Sequence, residues 1–467
     1  MSSVLVPQEQ DFARWYQDVI AKARVAENGP VRGTMVIRPW GYAIWERLQA
    51  AIDERIKAAG ARNAYFPLLI PEAFMRREAE HVEGFSPELA VVTHGGGKEL
   101  EEPAVVRPTS ETIVNSSFAR WISSYRDLPL LINQWANVVR WELRPRLFLR
   151  SSEFLWQEGH TAHATREDAH EYALRILEEV YADAMAQELA IPVFRGRKTE
   201  REKFAGADIS WSCEGVMRDG KALQMGTSHE LGQNFARAFG IQFSDRDGQL
   251  RHVWQTSWGS STRLLGAMIM VHGDDHGLRV PPRLAPTQVV VVVARAGEGV
   301  IEAAAAVVDE LERAGVRVEL DDRVEVSTGR RIIDHELRGV PVRVELGPRD
   351  VASDQAVVAR RARPEKATLP LGALAEIPRM LLDDQAALLA QATALRDART
   401  TPARSVDEAR EIAGQGFARV RWRDCGEDGQ DRLAQAGVSV RCLVREDGKP
   451  VEDPDADGVD ALVARAY

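Results

Sequence analysis

Residues 289–295 read VVVVVAR, and no other stretch of the chain restricts its fold as much. Five consecutive β-branched residues disfavour a helix, and a run without a polar face needs cover on both sides. The run therefore predicts a central strand of a layered sheet. Its continuation agrees: an Ala/Glu/Leu helix over residues 298–315, a VRVEL strand, a helix in STGRRIIDHELRG and a PVRVELG strand. Strands alternating with helices across short connections mark an α/β domain. Pro281, Pro282 and Pro286 punctuate its start, as prolines do between regular segments.

This anchor divides the 467 residues into units of ordinary size. Residues 1–285 make one large domain, rich in aromatic and polar clusters, and residues 286–370 make the α/β domain. Residues 371–400 read as a linker helix, with Pro378 as a break or kink. Residues 401–467 make a small C-terminal domain. A formal charge of −10 excludes a globally basic nucleic-acid binder and leaves room for a local basic face. Three cysteines far apart, Cys213, Cys425 and Cys442, fit a reducing compartment better than a disulfide framework. No apolar run approaches the ~20 residues of a membrane span, and the first residues lack a signal-peptide pattern. A cytoplasmic protein with no membrane partner is expected.

Four clusters in the first domain carry the chemistry. In RPTSETI, Thr109 and Glu111 would lie on one side of an extended segment, where together they could hold an ammonium. The same residues also read as a helix start. VVRWELRPRLFLRSSEFLWQEGHTAHA reads as a strand, a loop and a returning strand, with Arg140, Glu142 and Arg150 around the loop. Guanidinium forks suit phosphate oxygens. The His160 and His163 that follow lack a third metal ligand. QMGTSHELGQN is a polar run between apolar flanks, either a surface turn or a ligand-facing strand, with Gln224, Thr227 and His229 as its candidates. Finally, Arg263 opens the apolar helical stretch LLGAMIMV, where a buried cation asks for an anion. HGDDH after it reads as a solvated loop.

The order of these clusters resembles the three signature motifs of class II aminoacyl-tRNA synthetases. An apolar helix entering a Pro-terminated strand (GYAIWERLQAAIDERIKAAGARNAYFPLLIPEAF) comes first, the strand–loop–strand with Arg140 next, and the strand–helix with Arg263 last. RPTSET, FLWQEGHTAHA, QMGTSHELGQNFARAF, WQTSWGSSTRLLGAMIMVHGDDHGL and GVPVRVELGPRD are similar to the strings of prolyl-tRNA synthetases of the archaeal and eukaryotic-like type. The likeness runs nearly the whole chain, to a terminal Tyr467. It implies an α+β fold: an antiparallel catalytic sheet with flanking helices, an α/β anticodon-binding domain, and a small α+β C-terminal domain. It implies a homodimer that uses ATP and Mg²⁺ to join L-proline to tRNA(Pro) through prolyl-adenylate, releasing AMP and pyrophosphate.

By the same resemblance, Arg140 and Arg263 are the catalytic residues, engaging the α-phosphate with the amino-acid carboxyl and the γ-phosphate respectively. Arg150, Gln224 and Thr227 contact the nucleotide, and Glu142 the adenine or Mg²⁺. Thr109 and Glu111 read proline's secondary ammonium. Trp156, Glu158, His160, Phe204 (in KFAGAD) and His229 wall the proline pocket. In the α/β domain, Arg360, Arg361, Arg363 and Lys366 of VVARRARPEK offer either tRNA phosphate contacts or a solvated face. The C-terminal domain departs from the pattern. Cys425 stands at the first zinc-ligand position, but Gln430, Val444 and Asp447 occupy the others, so no zinc is expected. About one hundred residues separate the second and third motifs, too few to add an editing domain to the catalytic sheet.

Overall fold

The computed structural model describes residues 4–75, 89–363 and 365–467. Seven strands of the first domain lie side by side in the order Val193–Arg197, Ile209–Val216, Ala222–Gly232, Trp254–Ser261, Glu153–His163, Leu130–Val139 and Arg62–Asn63. All neighbours run antiparallel except the two-residue edge strand Arg62–Asn63. Alternation along the strands gives the sheet two unlike faces. Trp211, Cys213 and Trp258 point into a core covered by the helices Pro39–Ala58, Arg166–Arg175 and Arg263–His272. Residues one step away, such as Glu158, His160, Thr227 and His229, face a cavity on the other side.

The valine run forms the strand Val289–Val293, with all five residues fully buried. Val289, Val291 and Val293 pack on the helix Val300–Arg313, whereas Val290 and Val292 meet Val340 and Trp40 of the first domain. The strand pairs in parallel with Val318–Asp321 and Val342–Leu346. Two antiparallel strands, Gln355–Arg360 and Lys366–Pro370, extend the sheet. Pro378 does not kink the long helix. It sits in the first turn of Ile377–Ala398, where a missing amide hydrogen costs nothing, and a 3₁₀ turn, Leu371–Glu376, precedes it.

The C-terminal unit does not stand apart from the first domain. Its strands Thr400–Pro402, Phe417–Arg421, Val459–Ala464 and Ser439–Arg445 continue the first domain's sheet to eleven strands. The joint is the pairing of Leu443 with Arg197. Gly196 permits it, because a Cβ there would lie 2.4 Å from the Leu443 carbonyl oxygen. At the former zinc positions, Cys425 is buried in the unit's core and Gln430 Nε2 donates to Thr199 Oγ1 at 2.9 Å.

Candidate active site

Strand register builds the site. One row across the sheet runs Ser212, Thr227, Gly259, Glu158 and Gln134, and the next Ser210, His229, Ser257, His160 and Ile132. These rows floor a cavity of about 570 Å³, a size suited to a small ligand. QMGTSHELG is thus a strand facing this cavity, not a surface turn.

The cavity has an acidic end. Ser110 precedes the helix Glu111–Trp121, so the helix-start reading of RPTSETI holds and the extended one does not. Even so, both side chains reach the cavity and Thr109 Oγ1 donates to Glu111. Glu158 accepts from Ser110 Oγ at 2.5 Å, from the Ser110 amide at 3.2 Å and from Gln134 Nε2 at 3.0 Å. His160 Nε2 lies 3.1 Å from it. Burial pushes the Glu158 carboxyl up, but His160, Ser110 and Gln134 together hold it below the usual carboxylate range. Burial likewise works against a charged His160, while Glu158 and Glu111 raise its pKa above the ordinary value. The two therefore favour one another's charged forms at 3.1 Å. Glu111 is buried with no cation at salt-bridge distance among the described residues, so a cationic ligand group would complete it.

Two arginines also line the cavity. Arg140 is open to the cavity yet surrounded by protein, with Nε donating to the Pro108 carbonyl at 2.9 Å. Its guanidinium carbon lies 5.6 Å from the Phe154 ring centre and 5.3 Å from that of Trp156, within cation–π range. Arg263 is fixed by the carbonyls of Leu149 and Gln224, each at 3.2 Å. Burial, then Arg140 and Arg150, lower its pKa to about 10, so it stays charged at neutral pH. Neither Arg140 nor Arg263 meets a carboxylate within salt-bridge distance among the described residues, which is an arrangement for an anion. The Phe204 and His229 rings, also in the lining, lie 4.9 Å apart and tilted by 33°, and His229 Nδ1 meets Ser210 Oγ at 2.8 Å. Burial and the nearby Lys198 charge push His229 down to about 3, leaving a neutral ring in the wall.

The tRNA synthetase class II core domain (G, H, P, S and T) matches residues 93–272, and an anticodon binding domain matches residues 288–379. Proline–tRNA ligase of Frankia casuarinae is 62% identical over 467 residues, covering 100% of both chains. The chain belongs to the proline–tRNA ligase family. The chloroplastic/mitochondrial proline–tRNA ligase of Arabidopsis thaliana is 51% identical, over 94% of this chain and 83% of its own. The prolyl-tRNA synthetase of Cryptosporidium parvum, solved with L-proline and AMP, superposes with a TM-score of 0.92 at 36% identity. That superposition covers 100% of this chain and 97% of that one. The same enzyme complexed with halofuginone and AMPPNP gives a TM-score of 0.93 at 39% identity.

In this member of the proline–tRNA ligase family, the cavity gathers Thr109, Glu111, Arg140, Trp156, Glu158, His160, Phe204, Gln224, Thr227, His229 and Arg263 from six separated segments. Glu142 and Arg150 are not in its lining. They sit on the loop between strands, where Arg150 Nη1 is 3.9 Å from Glu142 Oε2 and Arg150 Nη2 donates to the Tyr467 carbonyl at 3.4 Å. His163 turns away to Asp168 and Thr161. HGDDH is not wholly solvated, because Asp274 holds Arg361. Each cation of VVARRARPEK has a carboxylate within 4.0 Å: Arg360 and Arg363 on Asp384, Arg361 on Asp274 and Lys366 on Glu345. Sequence reading missed Lys198, Ser257 and Gly259 in the cavity and Ser110 and Gln134 behind Glu158. Ser257, Gly259 and Gln134 enter only through cross-strand register with Glu158, His229 and His160, which no local pattern gives.

Proposed function

We propose that the chain activates L-proline with ATP and transfers it to tRNA(Pro). The carrying observation is the cavity's charge: the Glu111 carboxylate, beside a hydroxyl, has no cation at salt-bridge distance, and the Arg140 and Arg263 guanidinium groups have no carboxylate at that distance, among the described residues. An amino acid spans such a cavity with its ammonium on Glu111 and Thr109 and its carboxylate toward Arg140. The neutral His229 and Phe204 rings, with Trp156, offer apolar walls to a pyrrolidine ring. An ATP tail lying along Arg140, Arg263, Gln224 and Thr227 meets the remaining positive charge.

Chemistry then follows from placement. A carboxylate oxygen of proline bonds to the α-phosphorus, the α–β P–O bond breaks, and pyrophosphate leaves. Arg140 is placed to stabilise the charge that develops on the α-phosphoryl oxygens. The terminal ribose hydroxyl oxygen of tRNA next bonds to the prolyl carbonyl carbon, the bond from that carbon to the phosphate oxygen breaks, and AMP leaves while the hydroxyl proton passes to its phosphate or to solvent. No side chain is assigned as acid or base, because orientation and charge neutralisation suffice for both steps. Among the described residues no three His, Cys, Asp or Glu side chains gather into a metal site. Mg²⁺ is accordingly read as arriving on the nucleotide's phosphates, as is usual for that ion. Residues 286–370 are read as the anticodon-binding unit. A homodimer through the first motif is supported by its exposed Tyr65 and Leu69, together with exposed Trp121, whose ring centre is 6.0 Å from that of the motif's Phe66, since adjoining large apolar side chains on a surface mark contact sites. No described helix is long and apolar enough to cross a membrane.

The test is ATP–pyrophosphate exchange across the twenty amino acids without tRNA, on the parent chain and Arg140→Ala. Proline-dependent exchange in the parent, reduced at least about a hundredfold in the folded variant, is expected. Exchange with another amino acid, or with none, would overturn the reading.

A further inference from the structure

A second group of buried charges lies beside the cavity. Lys198 Nζ donates to Glu214 Oε1 and to the Arg441 carbonyl, both at 2.6 Å. Arg441 Nε donates to Glu214 Oε2 at 3.1 Å, and its Nη1 to Ser439 Oγ at 2.9 Å. Glu214 is fully buried, Lys198 is 4% exposed and Arg441 8%. Two cations share one carboxylate, so the group carries a net positive charge where uncompensated charge is costly. Lys198 lines the cavity. Two of its ammonium protons are taken within the group, and none of the described residues takes the third. Arg441, by contrast, comes from the C-terminal strand Ser439–Arg445.

Two strand irregularities bring these residues together. Cys213 pairs with Gly226 and Glu214 with Gln224, leaving Met225 unopposed. Val440 pairs with Val463 and Cys442 with Leu462, so Arg441 is the extra residue of a second bulge. A bulge re-aims a side chain and bends its strand, and such features recur beside active sites. Here both converge on Glu214. The first also places Gln224, whose carbonyl fixes Arg263. Stability does not account for the group, because replacing a buried ion triad by apolar residues is often neutral or stabilising. Its charges do act on the cavity: that of Lys198 helps keep His229 neutral, and that of Arg441 bears on Arg263.

We infer that Arg441, supplied by the C-terminal unit, is a positioning residue for amino-acid activation: through Glu214 it fixes the Lys198 ammonium in the cavity wall as a third cation, beside Arg140 and Arg263. The inference rests on the activation reading above. It assigns the C-terminal unit a part in the reaction, since the first domain alone lacks one member of the triad.

The experiment compares Arg441→Met and Arg441→Lys with the parent in proline-dependent exchange, with active sites counted by the burst of adenylate formation. Arg441→Met is expected to lower kcat per counted site at least tenfold, the size of a lost charge-assisted hydrogen bond of about 1.5–3 kcal/mol. Arg441→Lys is expected to recover most of that loss. A merely structural role would lower the number of active sites and the Tm but leave kcat per site unchanged, and that result overturns the inference. Should Arg441→Met yield no countable sites, the apolar triple variant Lys198→Met/Glu214→Leu/Arg441→Met decides. A folded triple variant slowed at least tenfold per site supports the inference, and one within twofold of the parent overturns it. A parent without proline-dependent exchange overturns both readings, whereas an active parent with an unchanged Arg441→Met overturns this one alone.

Discussion

Gly259 stands between Thr227 and Glu158 in the floor of the cavity, where it brings backbone and no side chain. A Cβ at this position would sit 3.4 Å from the Gln157 carbonyl oxygen and 3.5 Å from the Trp156 ring, ordinary contact distances. Gly259→Val should therefore fold while its methyl groups fill the space a ligand needs. The expected outcome is a rise of about ten- to a hundredfold in KM for proline, from an overpacking cost of about 1–3 kcal/mol, with Tm little changed. Steady-state exchange kinetics beside a melting curve check it, and an unchanged KM would place the amino acid elsewhere. Polar residues such as Thr109, Glu111 and His229 were legible in the sequence because their chemistry is unusual. Gly259 was not, because a missing side chain has meaning only once its cross-strand neighbours are known.

At the scale of elements, the loop between the strands Leu130–Val139 and Glu153–His163 and the last residue hold one another. The Tyr467 hydroxyl donates to Asp219 Oδ2 at 2.6 Å and its amide to the Ala222 carbonyl at 3.1 Å. Its ring lies 5.6 Å from the Arg146 guanidinium carbon and 4.6 Å from Lys221 Nζ, and its carbonyl accepts from Arg150. Deleting Tyr467 removes these ties and leaves the sheet's hydrogen bonds in place. Exchange is expected to slow about tenfold, since the charge-assisted hydrogen bond to Arg150, of about 1.5–3 kcal/mol, and the cation–π contact with Arg146, which tie down the arginine loop, are lost. Far-UV circular dichroism should not change. Full activity in the truncated chain would show that the loop is ordered without it. Strand–loop–strand was legible from apolar flanks around polar turns, but the partner of the loop lies more than 300 residues away and no local pattern names it.

Across the whole molecule, the buried His272 links stability to pH. His272 Nε2 donates to the Leu189 carbonyl at 2.7 Å, and burial, then Arg279 and Arg218, lower its pKa to about 4 despite that bond. Between 6.5 and about 4 the unfolded chain binds a proton there that the folded chain refuses, so stability falls as pH falls, by about 1.4 kcal/mol per pH unit. His272→Gln keeps a donor for Leu189 and removes the titration. Urea unfolding at pH 7 and pH 5 should show a smaller acid loss in the variant than in the parent, and equal losses would refute the assignment. Other features at this scale also depend on contacts between units. Trp40 Nε1 reaches the Arg338 carbonyl at 3.1 Å, Gln385 Nε2 the Gln187 carbonyl at 2.7 Å, and Arg361 pairs with Asp274. The sequence by itself determined what periodicity and side-chain chemistry encode locally: the doubly buried valine strand, the order of units, and the residues able to bind an ammonium and a phosphate. Tertiary structure alone decided that the C-terminal strands extend the first domain's sheet, that the cations of VVARRARPEK are matched within the protein, and that Arg441 reaches Glu214. Each of these depends on strand register and on groups far apart in the chain, and the free energy of burying a charge is set by which partner packing brings to it.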